Sequence, residues 1–274
     1  STQGVSSAAS DVYKRQTQPK KPKTGETLIQ LRFLTRIRIK LKLTSLNKMS
    51  PSRYLGTKAL QIAKWIGFLI IYLFASATLE VAGDYVHNEF LSRHILGVAL
   101  VVTAAALALI AWRYGKQLDA DNPRRFGKSK LTRQKIAQFV LIFVLMVAFQ
   151  MFWSYLISKH ILVTPDNQKA VEADQLRLPV WNAIFSVILA PIFEELIFRG
   201  IFMNYFFNKD NRLNNILAIV ISGLLFGYAH ELQFNVNWLM YSGLGCFLSY
   251  TYMHFRDIRY SIGLHFLNNF VSMI

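Results

Sequence analysis

The sequence predicts an all-α fold, a polytopic membrane helix bundle with about seven transmembrane helices. Two observations carry this. First, 53% of the 274 residues are hydrophobic, mean hydropathy is +0.29, and the apolar residues are segregated into runs long enough to cross a bilayer. Second, the polar links between those runs alternate between basic and mixed or acidic, as the two faces of a membrane require. A single cysteine, Cys246 in an apolar stretch, excludes an internal disulfide framework and a cysteine-based zinc finger. It reads as a buried structural thiol.

Residues 1–48 are expected to be a non-native or disordered basic tail. They hold eleven Lys/Arg and two acids, which supplies +9 of the formal net charge of +16. The opening, SSAASDVYKRQ, is similar to a translated sequencing-adapter end, and the first methionine is Met49. Residues 1–16 are therefore set aside from fold reasoning, with translation expected to begin at Met49. If native, RIRIKLKL (36–43) is a basic alternating stretch suited to anionic lipid. No nucleic-acid partner is read from the high isoelectric point.

Residues 49–274 form the predicted transmembrane domain. The first span covers 65–82 and carries Glu80 near its end. The second covers 95–112. A Lys/Arg-rich stretch, 113–135, leads to the third span at 138–158. Residues 159–179 read as a polar loop. The fourth tract, 181–207, is interrupted by Pro191, which removes a backbone donor and kinks a helix. Spans at 214–230 and 236–254 follow, and the seventh runs from about 260 into the terminus. The basic links place the N-terminus in the cytoplasm. The five residues after Asn269 are a thin ending for a membrane helix, so an eighth helix is expected to be missing there. Trp65, Trp112, Trp153, Trp181 and Trp238 fall near span ends, as interfacial anchors do. Gly223, Gly227, Gly243 and Gly245 are read as sites of close helix packing. Glu80 and His87 are read as membrane-edge residues.

Three polar constellations interrupt the apolar runs. In FEELIFRG (193–200), Glu194, Glu195 and Arg199 lie within two helical turns. Each ionised group at a bilayer centre costs at least about 2.5–3.5 kcal/mol on insertion scales. Residues four apart on a helix are offset by only about 40°, so Glu195 and Arg199 share a face and can pair. Glu194 is turned about 100° away and needs another partner. In FGYAH (226–230), Phe226 and His230 share a face. In HFLNN (265–269), His265 and Asn269 do. Singly, His230 reads as a satisfied interfacial residue, and His265 with Asn269 as an interhelical hydrogen-bonding pair. Together, Glu194, His230, His265 and Asn269 come from three spans. Converging on one hydrated cavity, they would hold a carboxylate, two imidazoles and an amide, an inventory suited to amide hydrolysis by activated water.

EELIFR, FGYAH and HFLNN fit the patterns EExxxR, FxxxH and HxxxN, in that order on successive spans. The chain thereby resembles the CPBP intramembrane endopeptidases, the Abi and CAAX-protease group, over residues 180–270. The resemblance implies about eight membrane helices and a site within the membrane, open toward the cytoplasmic side. It implies Glu194 as the residue that activates water, with His230 assisting. It implies His265 and Asn269 as the oxyanion-stabilising pair, and Glu195, Arg199 and Phe226 as supporting residues.

No cofactor is favoured. The alternative is a divalent metal such as zinc on Glu194, His230 and His265, which would leave an open position. HELQF (230–234) begins like a zincin motif but has Phe234 at the second histidine position. The partners implied are membrane lipid and a membrane-associated or hydrophobic peptide substrate, in a bacterial cytoplasmic membrane. The competing class is a non-catalytic membrane immunity or regulatory protein, which has no evident need for Glu194. A transporter would require repeat symmetry that the sequence lacks.

Overall fold

The computed structural model describes residues 50–273. The basic tail expected over 1–48, including RIRIKLKL, lies outside them. The contacts divide the chain between Ala59 and Leu60. Of the first unit only the opening turns of α1 are described, with Tyr54 N donating to Ser50 O at 3.0 Å. All that follows concerns residues 60–273.

Among the described residues there are eight continuous helical stretches and no strand. They are α1 (Pro51–Asp84), α2 (Glu89–Ala120), α3 (Arg133–Ser158), α4 (Asp166–Arg177), a composite tract over 179–206, α8 (Arg212–His230), α9 (Val236–Phe255) and α10 (Ile258–Met273). The composite tract runs through α5 (Pro179–Ile184), a π-helical segment Phe185–Leu189, α6 (Ala190–Glu194), a second π segment Glu195–Met203 and α7 (Asn204–Phe206). By length and composition α1, α2, α3 and α8 can each cross a membrane. Their large apolar side chains face outward: Leu73, Val101, Leu141 and Ile216 are all exposed. That is the inversion expected when lipid replaces water as the surrounding medium. The protein is an integral membrane helix bundle.

Two expectations about the links are refined. The basic stretch 113–135 is not all loop, since α2 continues to Ala120 before its C-cap at Asp121. The segment 159–179, read as a loop, contains the helix α4. That helix lacks an apolar face, so hydrophobic periodicity could not reveal it. It is held by Lys169–Asp166 at 2.9 Å, by Gln168–Glu172 at 2.9 Å, and by Arg177 reaching Asp84 on α1 at 2.6 Å.

The composite tract is the core of the bundle. Every residue from Phe193 to Met203 is buried. A π turn stretches the backbone hydrogen-bond register from four residues to five, and here other helices supply extra donors. Trp65 Nε1 donates to Ile197 O at 3.3 Å, Ser222 Oγ to Phe198 O at 3.0 Å, and Gln117 Nε2 to Ile201 O at 3.2 Å. The tract is thereby bonded to α1, α8 and α2. Trp65 is half-buried and packs on Phe198 and Phe202.

α8 and α9 form a close antiparallel hairpin. A Cβ added at Gly227 would lie 2.7 Å from the backbone nitrogen of Ser242. At Gly223 it would lie 3.0 Å from that of Cys246. Only glycine permits this approach. It brings the C-terminal turn of α8, which ends at His230, against the core.

Candidate active site

The three constellations meet. Glu194, at the end of α6, is 7% exposed. Its Oε2 lies 3.6 Å from His230 Nε2 on α8 and 3.7 Å from His265 Nε2 on α10. The ring orientations have identifiable causes. His230 Nδ1 lies 2.9 Å from Phe226 O, and a carbonyl can only accept, so Nδ1 donates. His265 Nδ1 lies 3.0 Å from Glu195 Oε1 and likewise donates to the carboxylate. With protons held at both Nδ1 atoms, the rings turn their Nε2 atoms toward Glu194 Oε2. That oxygen is buried and accepts no hydrogen bond from the protein.

Glu194 and Glu195 separate as their helical positions require. Glu195 is fully buried and pairs with Arg199 Nη1 at 2.9 Å. The guanidinium also donates through Nη2 to Gly245 O at 3.0 Å and through Nε to Ser249 Oγ at 3.3 Å. It lies 4.4 Å over the Phe226 ring, which itself packs on both imidazoles. The pair thus ties the composite tract to α9, and through His265 to α10. A buried ion pair is costly unless its remaining hydrogen-bonding capacity is met; each nitrogen of Arg199 makes a bond, while Glu195 Oε2 has no partner.

Two residues escaped the sequence reading. Tyr72 on α1 donates its hydroxyl to Glu194 Oε1 at 2.7 Å, lying between Phe185 and Phe193. A tyrosine in an apolar span carries no signal until its partner is known. Ser186 is the second. In the first π segment the Ala190 N–H bonds to Phe185 O. The next bond in that register would run from residue 191 to Ser186 O, and Pro191 has no N–H. Asn269 Nδ2 supplies the missing donor to Ser186 O at 2.9 Å. Pro191 therefore does more than bend the tract: it frees a carbonyl that fixes Asn269. One N–H of the Asn269 amide is used there, and the other remains for a second acceptor.

His230, His265 and Asn269 stand on the wall of a cavity of about 730 Å³, between α3, α4, α8, α9 and α10. That volume suits a ligand of several residues. Among the described residues no group of three or more His, Cys, Asp or Glu has the geometry to hold a metal ion.

A buried carboxylate between two imidazoles, beside a cavity in an apolar-surfaced helix bundle, marks a candidate intramembrane site. Residues 176–271 match the family described as type II CAAX prenyl endopeptidase Rce1-like. Two curated proteins are also similar. One is the UPF0177 protein YajF of Lactococcus lactis, 28% identical over 69% of this chain and 91% of its own length. The other is the membrane-embedded CAAX protease MroQ of Staphylococcus aureus, 26% identical over 63% of this chain and 69% of its own. No solved structure matches. Over residues 176–271 the chain is thus similar to the CAAX-protease, or CPBP, family of membrane endopeptidases.

Proposed function

We propose that this protein hydrolyses a peptide bond of a membrane-associated or hydrophobic substrate, with Glu194 as general base. The observation that carries the reading is the buried, unpartnered Glu194 Oε2 with two imidazole Nε2 atoms 3.6 and 3.7 Å away. A water held by Glu194 and His230 donates to both and turns its own lone pair toward the cavity. Glu194 takes one proton as the oxygen attacks the carbonyl carbon, and returns it to the amine as the C–N bond breaks. The Tyr72 hydroxyl keeps the other carboxylate oxygen in place. Asn269 offers its remaining N–H to the oxyanion. His265 can donate from Nε2 only as the doubly protonated ring, since Nδ1 keeps its proton against Glu195. Glu195 is thus the counter-ion that supports this state.

This reading routes no step through a metal ion. Elemental analysis of purified, active protein tests this, and a stoichiometric ion lost together with activity on chelation would reverse it.

Glu194→Gln keeps the side-chain shape and removes the base. At matched abundance in membranes it should lower cleavage by about 10²–10⁴-fold. Cleavage at the wild-type rate would eliminate Glu194 as base.

A further inference from the structure

The cavity has a side. The loops 121–132, 207–211 and 256–257 meet at one end of the bundle: Arg124 donates to Lys209 O at 3.0 Å, Arg256 to Arg124 O at 2.7 Å, and Ser129 N to Asp257 Oδ2 at 2.8 Å. At the other end meet the links after α1, after α3 and after α8. There Arg177 reaches Asp84 at 2.6 Å and Asn237 reaches Val163 O at 3.3 Å. Charge divides sharply between the two. Segments 113–135, 207–212 and 256–259 carry twelve Lys/Arg and four Asp/Glu. Segments 80–94, 159–177 and 231–235 carry four and seven. Lys and Arg in short loops are retained in the cytoplasm, so the first end is cytoplasmic. The cavity lies at the second. It is walled by Thr164, Asn167 and Gln168 of the 159–177 segment, by the C-terminal half of α3 and by the C-terminal end of α10.

We infer that the site is entered from the non-cytoplasmic side of the membrane, and that its substrate is an exported or outer-leaflet peptide cleaved at an internal bond. This rests on the endopeptidase reading above, and it reverses the cytoplasmic opening that the family resemblance implied. The internal bond follows from the wall chemistry. No Lys or Arg lines the cavity, whereas amides and hydroxyls such as Gln150, Ser154, Asn167, Gln168 and Ser272 do. Such a wall hydrogen-bonds an extended, neutral backbone. It offers no lysine or arginine to clamp a free terminal carboxylate.

Access is tested without reference to catalysis. In the full chain carrying Cys246→Ala, single cysteines are placed as Lys169→Cys on α4, Ser272→Cys in the cavity and Lys128→Cys at the basic end. Intact bacterial cells are then treated with a membrane-impermeant maleimide. Labelling of the first two in intact cells, with Lys128→Cys labelled only after permeabilisation, is the expected result. Any other pattern among folded variants overturns the assignment, including a Ser272→Cys that never labels. The substrate side is read separately, by comparing peptide fragments from cells expressing wild type or Glu194→Gln. Fragments lost in the variant should end at internal bonds of exported segments. Ends at cytoplasmic segments or at carboxyl termini overturn the substrate assignment. With the labelling pattern as expected, the absence of any lost fragment would refute the endopeptidase reading and leave the sidedness standing.

Discussion

Glu194 and Glu195 are adjacent in the chain, yet they have separate tasks. The division is set by what each meets. Glu195 meets a guanidinium and an imidazole N–H; Glu194 meets a phenol and two imidazole Nε2 atoms. Removing Arg199 leaves the Glu195 charge buried with one donor fewer. Breaking such a pair costs about 3–5 kcal/mol. Arg199→Ala should therefore reduce folded protein in membranes and lower the thermal midpoint in detergent before any effect on turnover is measurable. Tyr72→Phe should behave oppositely. It removes one hydrogen bond to a charged group, worth about 1.5–3 kcal/mol. With Glu194 as the proposed base, kcat should fall about 10–100-fold while abundance changes little. A shifted pH–rate profile for the variant would separate loss of positioning from simple loss of packing. The Glu195–Arg199 pairing was legible from a spacing of four residues. Tyr72 was not, because its significance depends on a contact 122 positions away.

At the scale of the element, the composite tract shows why three short motifs suffice to build the site. Its two π segments free carbonyls for side-chain donors from other helices, and π turns often occur at functional positions. Pro191 was readable as an interruption. Its consequence was not, because the frozen register and the Asn269 acceptor appear only once α10 lies alongside. Pro191→Ala restores an N–H able to bond Ser186 O in the π register, in competition with Asn269. The variant should fold at least as stably, since a donor is gained, yet turn over more slowly because Asn269 loses its fixed orientation. A double-mutant cycle checks this. Pro191→Ala combined with Asn269→Ala should be no slower than Asn269→Ala alone. Additive losses would show that Pro191 acts by another route. The polar helix α4 marks the opposite limit of sequence reading, since its order comes from ion pairs and from Asp84 on a distant helix.

Across the whole molecule, the charge alternation that identified the membrane links also assembles one end of the bundle. Asp257 is the joint of that end. It is 2% exposed, accepts from the Arg259 side chain and backbone, and accepts from Ser129 N across the 121–132 loop. Arg256, in the left-handed conformation at φ 54°, caps α9 and reaches both Arg124 O and Asp210. Burial alone would push the Asp257 carboxyl up, but the bonds from Arg259 and from the Ser129 N–H outweigh it and hold the group below its ordinary value of 3.8. A carboxyl depressed in the folded state contributes stability above its unfolded pKa, and that contribution is lost as pH falls through the folded value. The wild-type thermal midpoint in detergent should therefore be steady near neutrality and fall progressively below about pH 4. Asp257→Asn keeps the side-chain shape and one acceptor oxygen but loses the charge and the second acceptor. It should lower the midpoint at pH 7 and flatten part of the acid dependence, so that the two proteins converge toward about pH 3. Parallel curves for the two would remove Asp257 as the acid-sensitive joint. Because Asp257 lies at the basic end, away from the cavity, the same substitution should leave the pH dependence of turnover by the surviving folded protein unchanged.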